Sequence, residues 1–275
     1  MKIDRRWRLV GLVCLMVVMA SGVFAEETPA ESVDLKELAR LVSEGDGEAM
    51  YQLGVIYEEG LELPPNADRA MEWFMLAADE GHAIAQYRAG RVYLAKGNYP
   101  TAIELLGASA RQGHARAQYT FGLMHEAGRG MNRSDRQAVY WYTESARQGD
   151  ADAQYSLAGH YTSGKGVDED LSIAMRWLTE SAKQGHQNAQ RNLAFMHIQG
   201  EGVPMNLVHG YAWFGVMADS GDFPASKLMT TLAESMNAEE IRRADNLAAS
   251  FLDRITKNRE EATNKQAETA SKPSN

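Results

Sequence analysis

Residues 149–184 read GDADAQYSLAGHYTSGKGVDEDLSIAMRWLTESAKQ, and variants of this pattern follow one another through most of the chain. Each copy begins at a glycine, and the intervals between successive anchor glycines are 36, 32, 36, 36 and 36 residues. A period of this length indicates a stack of identical supersecondary units rather than one enzyme-like domain. The anchors are Gly45, Gly81, Gly113, Gly149, Gly185 and Gly221.

The first half of each copy has the spacing of an amphipathic helix, which we call helix A. Alanine stands four residues after every anchor, and in the first five copies a small residue stands nine after it and an aromatic residue or histidine twelve after it. These offsets share one stripe of a helix with 3.6 residues per turn. Glycine at the ninth position, as in Gly54 and Gly122, is unfavourable in a helix, so we expect a closely packed neighbour there.

A turn and a second helix, helix B, complete each copy. Fifteen residues before each following anchor stands a residue whose side chain can accept hydrogen bonds from the first amides of helix B. A large residue, usually tryptophan, stands eight before the anchor and is expected to fill the core, and the anchor glycine ends the helix. The capping residues are Asn66, Asn98, Ser134, Asp170 and Asn206, and the large residues are Trp73, Leu105, Trp141, Trp177 and Trp213.

The motifs A-Q-Y-x-x-G at residues 117–122, G-x-G-V at 164–167 and A-x-x-W at 174–177 resemble the Sel1-like repeat, a relative of the tetratricopeptide repeat. The resemblance covers roughly residue 45 to the end of the chain. It implies an all-α fold, a right-handed superhelical α-solenoid of antiparallel helix pairs. It also implies an adaptor role in assembling complexes, often at membranes or in the cell envelope. The repeats are expected at residues 45–80, 81–112, 113–148, 149–184 and 185–220.

Both ends of a solenoid need capping elements, because a terminal repeat exposes an apolar face. A helical stripe of apolar residues begins at Leu35, so residues 26–44 are expected to form an N-terminal capping helix. Residues 221–262 are expected to form C-terminal capping helices, the second of which begins at Asn237 with a capping-box arrangement. Residues 263–275 are polar and have almost nothing to bury, so we expect a disordered tail.

Residues 1–25 have the organisation of a bacterial secretory signal peptide. A basic start is followed by an apolar run from Leu9 to about Ala20, and Val23-Phe24-Ala25 offers small residues for cleavage after Ala25. The alternative is an uncleaved membrane anchor, but the apolar run is shorter than the span of about 20 residues that a bilayer requires. We therefore expect export to the periplasm, with secretion as the other destination, and no membrane attachment after cleavage.

Net charge and cysteine content exclude several classes of partner and chemistry. The formal charge is −9, and it becomes −12 without residues 1–25 because these carry a net +3. Such a surface does not attract nucleic acid. The single cysteine, Cys14, lies in the predicted signal peptide. The remaining chain therefore has no disulfide, no cysteine nucleophile and no cysteine metal site.

No sequence motif for catalysis, a cofactor or a metal stands out. A nucleophile elbow, a phosphate-binding loop and the H-E-x-x-H zinc motif are all absent. Five of the seven histidines follow the repeat, either directly after an anchor or at the twelfth position, where packing is the favoured interpretation. His160 and His209 have no sequence neighbours at the spacing of a metal site. We therefore predict a protein that is not an enzyme and takes no cofactor or metal.

Tyrosine recurs six residues after the anchor, where helix A would line the concave face of the superhelix by analogy with tetratricopeptide repeats. A row of tyrosines with charged neighbours would suit recognition of a protein partner. The alternative is that the tyrosines fill space between repeats, which their regular recurrence favours. The candidate groove residues are Tyr51, Tyr87, Tyr119, Tyr155, Glu58, Arg91 and Glu126.

Two functions fit these observations. The first is an exported non-catalytic scaffold that binds another protein through the surface of the solenoid, because the repeats offer extended surface and no reactive constellation. The second is an enzyme or enzyme subunit acting on cell-wall or β-lactam substrates, as a cysteine-rich branch of the same repeat family suggests. No Ser-x-x-Lys motif is convincingly placed in this chain, so we favour the scaffold.

Overall fold

The computed structural model describes residues 34–270 of the chain and the side chains of residues 34–264. The predicted signal peptide and the start of the N-terminal capping segment lie outside the described residues, as do residues 271–275. Within the described part the chain forms thirteen helices and no strand. The helices are α1 (Leu35–Glu44), α2 (Gly47–Glu59), α3 (Ala67–Asp79), α4 (Ala83–Ala95), α5 (Tyr99–Arg111), α6 (Ala115–Ala127), α7 (Asp135–Arg147), α8 (Ala151–Ser163), α9 (Leu171–Lys183), α10 (Gln187–Gln199), α11 (Leu207–Asp219), α12 (Phe223–Ala233) and α13 (Ala238–Ala270).

Neighbouring helices pack against one another in series, which confirms the predicted all-α solenoid of helix pairs. The even-numbered helices from α2 to α12 are helices A, and the odd-numbered helices from α3 to α11 are helices B. Each of the pairs α2/α3, α4/α5, α8/α9 and α10/α11 joins a helix A to the helix B that follows it. The chain divides into two compact units, with the division between Phe121 and Gly122 in α6.

The predicted boundaries of helix B are confirmed at both ends. Asp170 Oδ1 accepts a hydrogen bond from the backbone N–H of Ile173 at 2.9 Å, and the equivalent residue caps α3, α5, α7 and α11 in the same way. At the opposite ends, the six anchor glycines have φ angles between +86° and +94°. Glycine adopts this left-handed conformation without the steric penalty that a Cβ would bring.

The prediction that Trp141 and Trp177 fill the core is wrong. Both are only half-buried, whereas the next residues, Tyr142 and Leu178, are almost completely buried. The reason is helical register, because Tyr142 lies four residues after the buried Ala138 and shares its stripe, while position 141 is rotated by about 100°. The buried side chains at this position of the repeat are Phe74, Leu106, Tyr142, Leu178 and Phe214.

The other predicted core residues, Trp73, Leu105 and Trp213, are buried. Trp213 receives additional cover from the C-terminal helix α13, because its ring stacks on Phe251 with a centroid separation of 4.3 Å. A tryptophan at this position is therefore buried where a further element packs over it. In the second unit, Trp177 instead lines an open pocket of about 490 Å³ with Arg176.

Helix α13 begins with the predicted capping box. The backbone N–H of Asn237 donates to Glu240 Oε2 at 2.9 Å, and Asn237 Oδ1 accepts from the backbone N–H of Glu240 at 3.0 Å. The helix packs along α11 and reaches back to α9. It ends at Ala270, so it includes eight residues that the sequence analysis assigns to the tail. Lysine, glutamine, alanine and glutamate, which are good helix formers, supply most of that extension.

Glycine at the ninth position of helix A makes room for an aromatic ring. A Cβ built on Gly122 would lie 2.7 Å from Cδ1 of Tyr142, and one built on Gly54 would lie 2.4 Å from Cε1 of Phe74. The predicted close neighbour is therefore present, and it is a side chain of the paired helix B. By contrast, Gly159 at the tenth position is exposed, and a Cβ there would meet no atom within 4 Å.

Gly122→Ala and Gly159→Ala are expected to change stability in opposite directions. Alanine gains about 1 kcal/mol of helix propensity over glycine, and at Gly159 nothing opposes that gain. At Gly122 the overlap with the buried Tyr142 ring exceeds it, so we expect a net loss of about 1–2 kcal/mol. Urea unfolding monitored by circular dichroism gives both values. Equal stabilisation by the two substitutions would show that the ring does not pack on Gly122.

In the two later G-x-G turns, the second glycine connects one repeat to the preceding one. Gly166 has φ +73°, and a Cβ built there would lie 2.4 Å from the carbonyl carbon of Asp135 at the start of α7. Gly202 packs on Leu171 at the start of α9 in the same manner, with a Cβ separation of 2.9 Å. In the second unit, the turn of a repeat therefore rests on the first residue of the helix B before it.

Candidate protein-interaction surface

Three of the four predicted tyrosines pack against histidines that begin the following helices A. These contacts join one repeat to the next, as the packing interpretation expects, while each tyrosine keeps part of its surface exposed. The same side chain can therefore serve packing on one side and recognition on the other. The pairs, with ring centroids 4.5–4.7 Å apart, are Tyr51/His82, Tyr87/His114 and Tyr155/His186.

The histidines of these pairs are helix N-caps. Nδ1 of His82 accepts a hydrogen bond from the backbone N–H of Ala85 at 3.2 Å, so Nε2–H is free to donate to Glu48 Oε2 at 2.8 Å. Asp46 and Asp150 cap their helices from the same position. The sequence carried a signal for this role, because Asp or His directly follows every anchor glycine. Within the repeats, only the caps of helix B were predicted from the sequence.

Two acidic residues of the candidate groove are engaged within the protein. Glu58 pairs with Arg88 of the next helix A, and the Arg88 guanidinium lies 5.5 Å from the ring centroid of Tyr51. In the second unit, Glu126 accepts the Tyr142 hydroxyl at 2.5 Å. Both carboxylates therefore hold helices together. Arg88 was not predicted, because the seventh position after the anchor carries no recurring residue type.

The candidate groove residues are divided between the two units. Arg91 is exposed and its guanidinium lies 5.7 Å from the ring centroid of Tyr87, one helical turn away. Tyr119 is half-buried in α6. The structure thus brings Tyr87 together with Arg91, and Tyr51 together with Glu58 through Arg88. The first unit holds Tyr51, Tyr87, Tyr119, Glu58 and Arg91, and the second holds Tyr155 and Glu126.

Exposed apolar residues, which the sequence analysis did not single out, lie on the same sides of the helices A. In the second unit, Leu123 is 38% exposed and Phe195 is 37% exposed, and both stand ten residues after their anchors. Gly159 holds the equivalent position between them in the repeat order. Tyr155 lies one helical turn before Gly159 and therefore faces the same side. We call Leu123, Tyr155, Gly159 and Phe195 the helix A face of the second unit.

A buried glutamine at the start of α4, α6, α8 and α10 caps the helix B before it. Nε2 of Gln154 donates to the backbone carbonyl of Ala146 at 3.2 Å, while its Oε1 accepts from Gln184 at 2.9 Å. Carbonyls at a helix C-terminus lack partners within the helix, which explains why glutamine recurs at this position. The glutamines that donate to a carbonyl eight residues earlier are Gln86, Gln118, Gln154 and Gln190.

Two histidines of the second unit lie together. The rings of His197 in α10 and His209 in α11 have centroids 4.8 Å apart. Burial lowers the pKa of His197 to about 4, with His209 as a second cause. Burial also lowers the pKa of His209, followed by the charge of Arg243. The sequence spacing does not predict this pair, because residues twelve apart meet only through the turn between the two helices.

Metal-ligating residues do not cluster among the described side chains, where no group of three or more His, Cys, Asp or Glu could hold an ion. Between residues 34 and 270, no helix combines the length and the apolar character that crossing a bilayer requires. The arrangement of the helix A face offers apolar contact, aromatic rings and an accessible stretch of backbone at Gly159.

The repeats match a known family model along most of their length. Residues 47–82, 83–114, 115–150, 151–186 and 187–222 each match the Sel1 repeat. The chain belongs to the Sel1 repeat family. Each matched Sel1 repeat begins at the first residue of a helix A and closes just before the next one. Sel1 repeat solenoids generally serve protein–protein interaction rather than catalysis.

Solved structures support the same assignment. The crystal structure of c5321, a protective antigen present in uropathogenic Escherichia coli strains with an SLR fold, has a TM-score of 0.72 and 25% identity, covering 90% of this chain and 53% of that chain. This chain thus spans about half the length of c5321. A Sel1 repeat protein from Oxalobacter formigenes has a TM-score of 0.62 and 27% identity, covering 77% of this chain and 90% of that chain. A sequence search among curated proteins finds no match.

Proposed function

We propose that this Sel1 repeat protein is an exported, non-catalytic scaffold that binds a protein partner through the exposed faces of its helices A. The family's general role in protein–protein interaction supports the class of function. The helix A faces support the location, because aromatic and apolar residues are exposed there in both units. Binding at such a face needs no cofactor or metal.

The exposed glycine of α8 carries this proposal. Glycine inside a helix costs about 1 kcal/mol relative to alanine, and no neighbouring atom of the protein requires the space beside Gly159. A glycine is favoured where another backbone approaches a helix closely. The position is flanked by the Tyr155 ring on the same helix and by Phe195 in the next repeat. Protein interfaces are enriched in such aromatic residues.

The first unit presents a similar surface. Tyr51 and Tyr87 keep part of their rings exposed, Ile84 is 39% exposed, and Arg91 lies beside Tyr87. Tyrosine and arginine are the residue types that most often dominate binding energy at protein interfaces. The predicted groove residues therefore belong to the proposed function, although some also contact the next repeat.

Export is the second part of the proposal. The basic start, apolar run and small residues of positions 1–25 support secretion, with the periplasm as the favoured destination. The remaining chain carries a charge of −12. A partner with a basic patch would be attracted to it, whereas nucleic acid and anionic lipid would be repelled. The proposed partner is therefore a protein of the cell envelope.

Gly159→Gln tests the binding face directly. The longer side chain projects into open space, so the fold should be retained while a partner is held away from α8. The matched control is Ser172→Gln, which introduces the same residue at an exposed position on helix B. Affinity capture from an envelope extract should recover a specific protein with the wild type and with Ser172→Gln, but at least tenfold less with Gly159→Gln.

Circular dichroism checks that all three chains are folded. Equally strong capture with all three folded chains would contradict the assignment of the binding face. Absence of any specific partner would contradict the scaffold itself. The proposal that the protein is not an enzyme has a separate test. Hydrolysis of nitrocefin by the purified protein above background would favour the β-lactam-acting alternative.

A further inference from the structure

The C-terminal helix α13 closes a cavity of about 300 Å³ in the second unit. The helix lies along α11 and reaches α9, where Asn258 Nδ2 donates to the backbone carbonyl of Lys183 at 2.9 Å. Residues of α9, α10, α11 and α13 line the cavity. It is separate from the helix A face, so it is not part of the proposed protein-binding surface.

One side of the cavity is apolar. Trp213 stacks on Phe251, with ring centroids 4.3 Å apart and planes 21° from parallel. Met175 and Ile255 complete this side. An apolar cavity of about 150 Å³ already accommodates benzene in another protein. The cavity beneath α13 is therefore large enough for a substituted ring or a short branched chain.

The other side carries nitrogen groups and no carboxylate. His197 and His209 line the cavity, and the Nδ1 atom of each is buried with no hydrogen-bond partner among the described residues. Lys183 and Arg254 also line it. Glu180, which pairs with Lys183 at 2.6 Å, lies outside the lining. The charged side chains that face the cavity are therefore both cations.

The two imidazoles favour an anionic ligand. Burial lowers the pKa of both, which favours the neutral form of each ring. A neutral imidazole carries its proton on one ring nitrogen and can donate it to an acceptor. Arg254 can add a charge-assisted hydrogen bond, which carboxylates accept well.

We propose that the cavity beneath α13 binds a small carboxylic acid with an aromatic or branched apolar body. Its apolar body lies against the stacked Trp213 and Phe251 rings, and its carboxylate faces His197, His209 and Arg254. This assignment joins the apolar side, the two imidazoles and the cations in one site. It does not depend on whether the helix A face binds a protein.

Benzoate, benzamide and benzylamine test the charge of the ligand at nearly constant shape. Titration of the purified chain with each compound, followed by histidine imidazole NMR, should show saturable shifts of His197 and His209 with benzoate and raised pKa values for both. Benzamide should bind at least tenfold more weakly, and benzylamine should not bind. No saturation by benzoate below about 10 mM, or equal binding of all three compounds, would overturn the proposal.

Two variants localise the site. Arg254→Gln changes an exposed side chain and should weaken benzoate binding by about tenfold, the usual effect of losing a hydrogen bond to a charged group. His197→Tyr introduces the residue found at this repeat position in Tyr57, Tyr93 and Tyr161, and should abolish binding. The control is His125→Tyr, the same change at the equivalent position of α6, outside the cavity. Equal losses in His197→Tyr and His125→Tyr would place benzoate elsewhere.

Discussion

Replacing Tyr142 by alanine is expected to lower the free energy of unfolding by about 3–5 kcal/mol, the usual range for emptying a buried aromatic site. The side chain is completely buried, and its hydroxyl donates to Glu126. The substitution removes the ring that packs on Gly122 and leaves the Glu126 carboxylate without this donor. Urea unfolding monitored by circular dichroism measures the loss.

The adjacent residue provides a matched control. Trp141 lies in the same helix and is larger than Tyr142, but it is only half-buried. Trp141→Ala should therefore lower the free energy of unfolding by less than about 2 kcal/mol, because less apolar surface leaves the protein interior. A larger effect at Trp141 than at Tyr142 would restore the register that the sequence analysis predicted.

Gly166→Ala is expected to be the next most damaging substitution, with a loss of about 2–5 kcal/mol. A residue with a Cβ pays about 1–2 kcal/mol for the left-handed conformation. The Cβ would also overlap the backbone of Asp135, which cannot move aside as a flexible side chain could. Overpacking of this kind adds about 1–3 kcal/mol. The same unfolding experiment measures it.

Gly149→Ala separates the two causes. Gly149 has φ +94°, but a Cβ there would meet no atom within 4 Å. Only the conformational penalty of about 1–2 kcal/mol should appear. If both substitutions had the same effect, the turn of one repeat would not support the helix B before it.

Most of the fold could be predicted because its determinants are local. The period, the caps such as Asp170 and the anchor glycines each depend on residues within one helix–turn–helix unit, so the chain displays them directly. The register of helix B could not be predicted in the same way. Trp141 and Tyr142 are both large and aromatic, and hydrophobicity alone does not show which of two adjacent positions faces the core.

The candidate surface was only partly predictable for a different reason. The tyrosine column is visible in the sequence, but its histidine partners belong to the next repeat, and Arg88 follows no recurring pattern. Exposure is the decisive property of Gly159 and Phe195, and it depends on how the helices pack. The cavity beneath α13 could not be predicted from the sequence, because its walls come from four helices, one of which is a C-terminal segment with no repeat of its own.

Helix α13 also changes how this end of the protein can open. In a linear array each repeat contacts only its neighbours, so terminal repeats fray independently. Here Asn258 holds the end of α9 across 75 residues of chain, while the preceding turns of α13 cover α11. We therefore expect the amide hydrogens of the last two repeats to exchange with solvent together. Their protection should be lost only when α13 detaches from both α9 and α11.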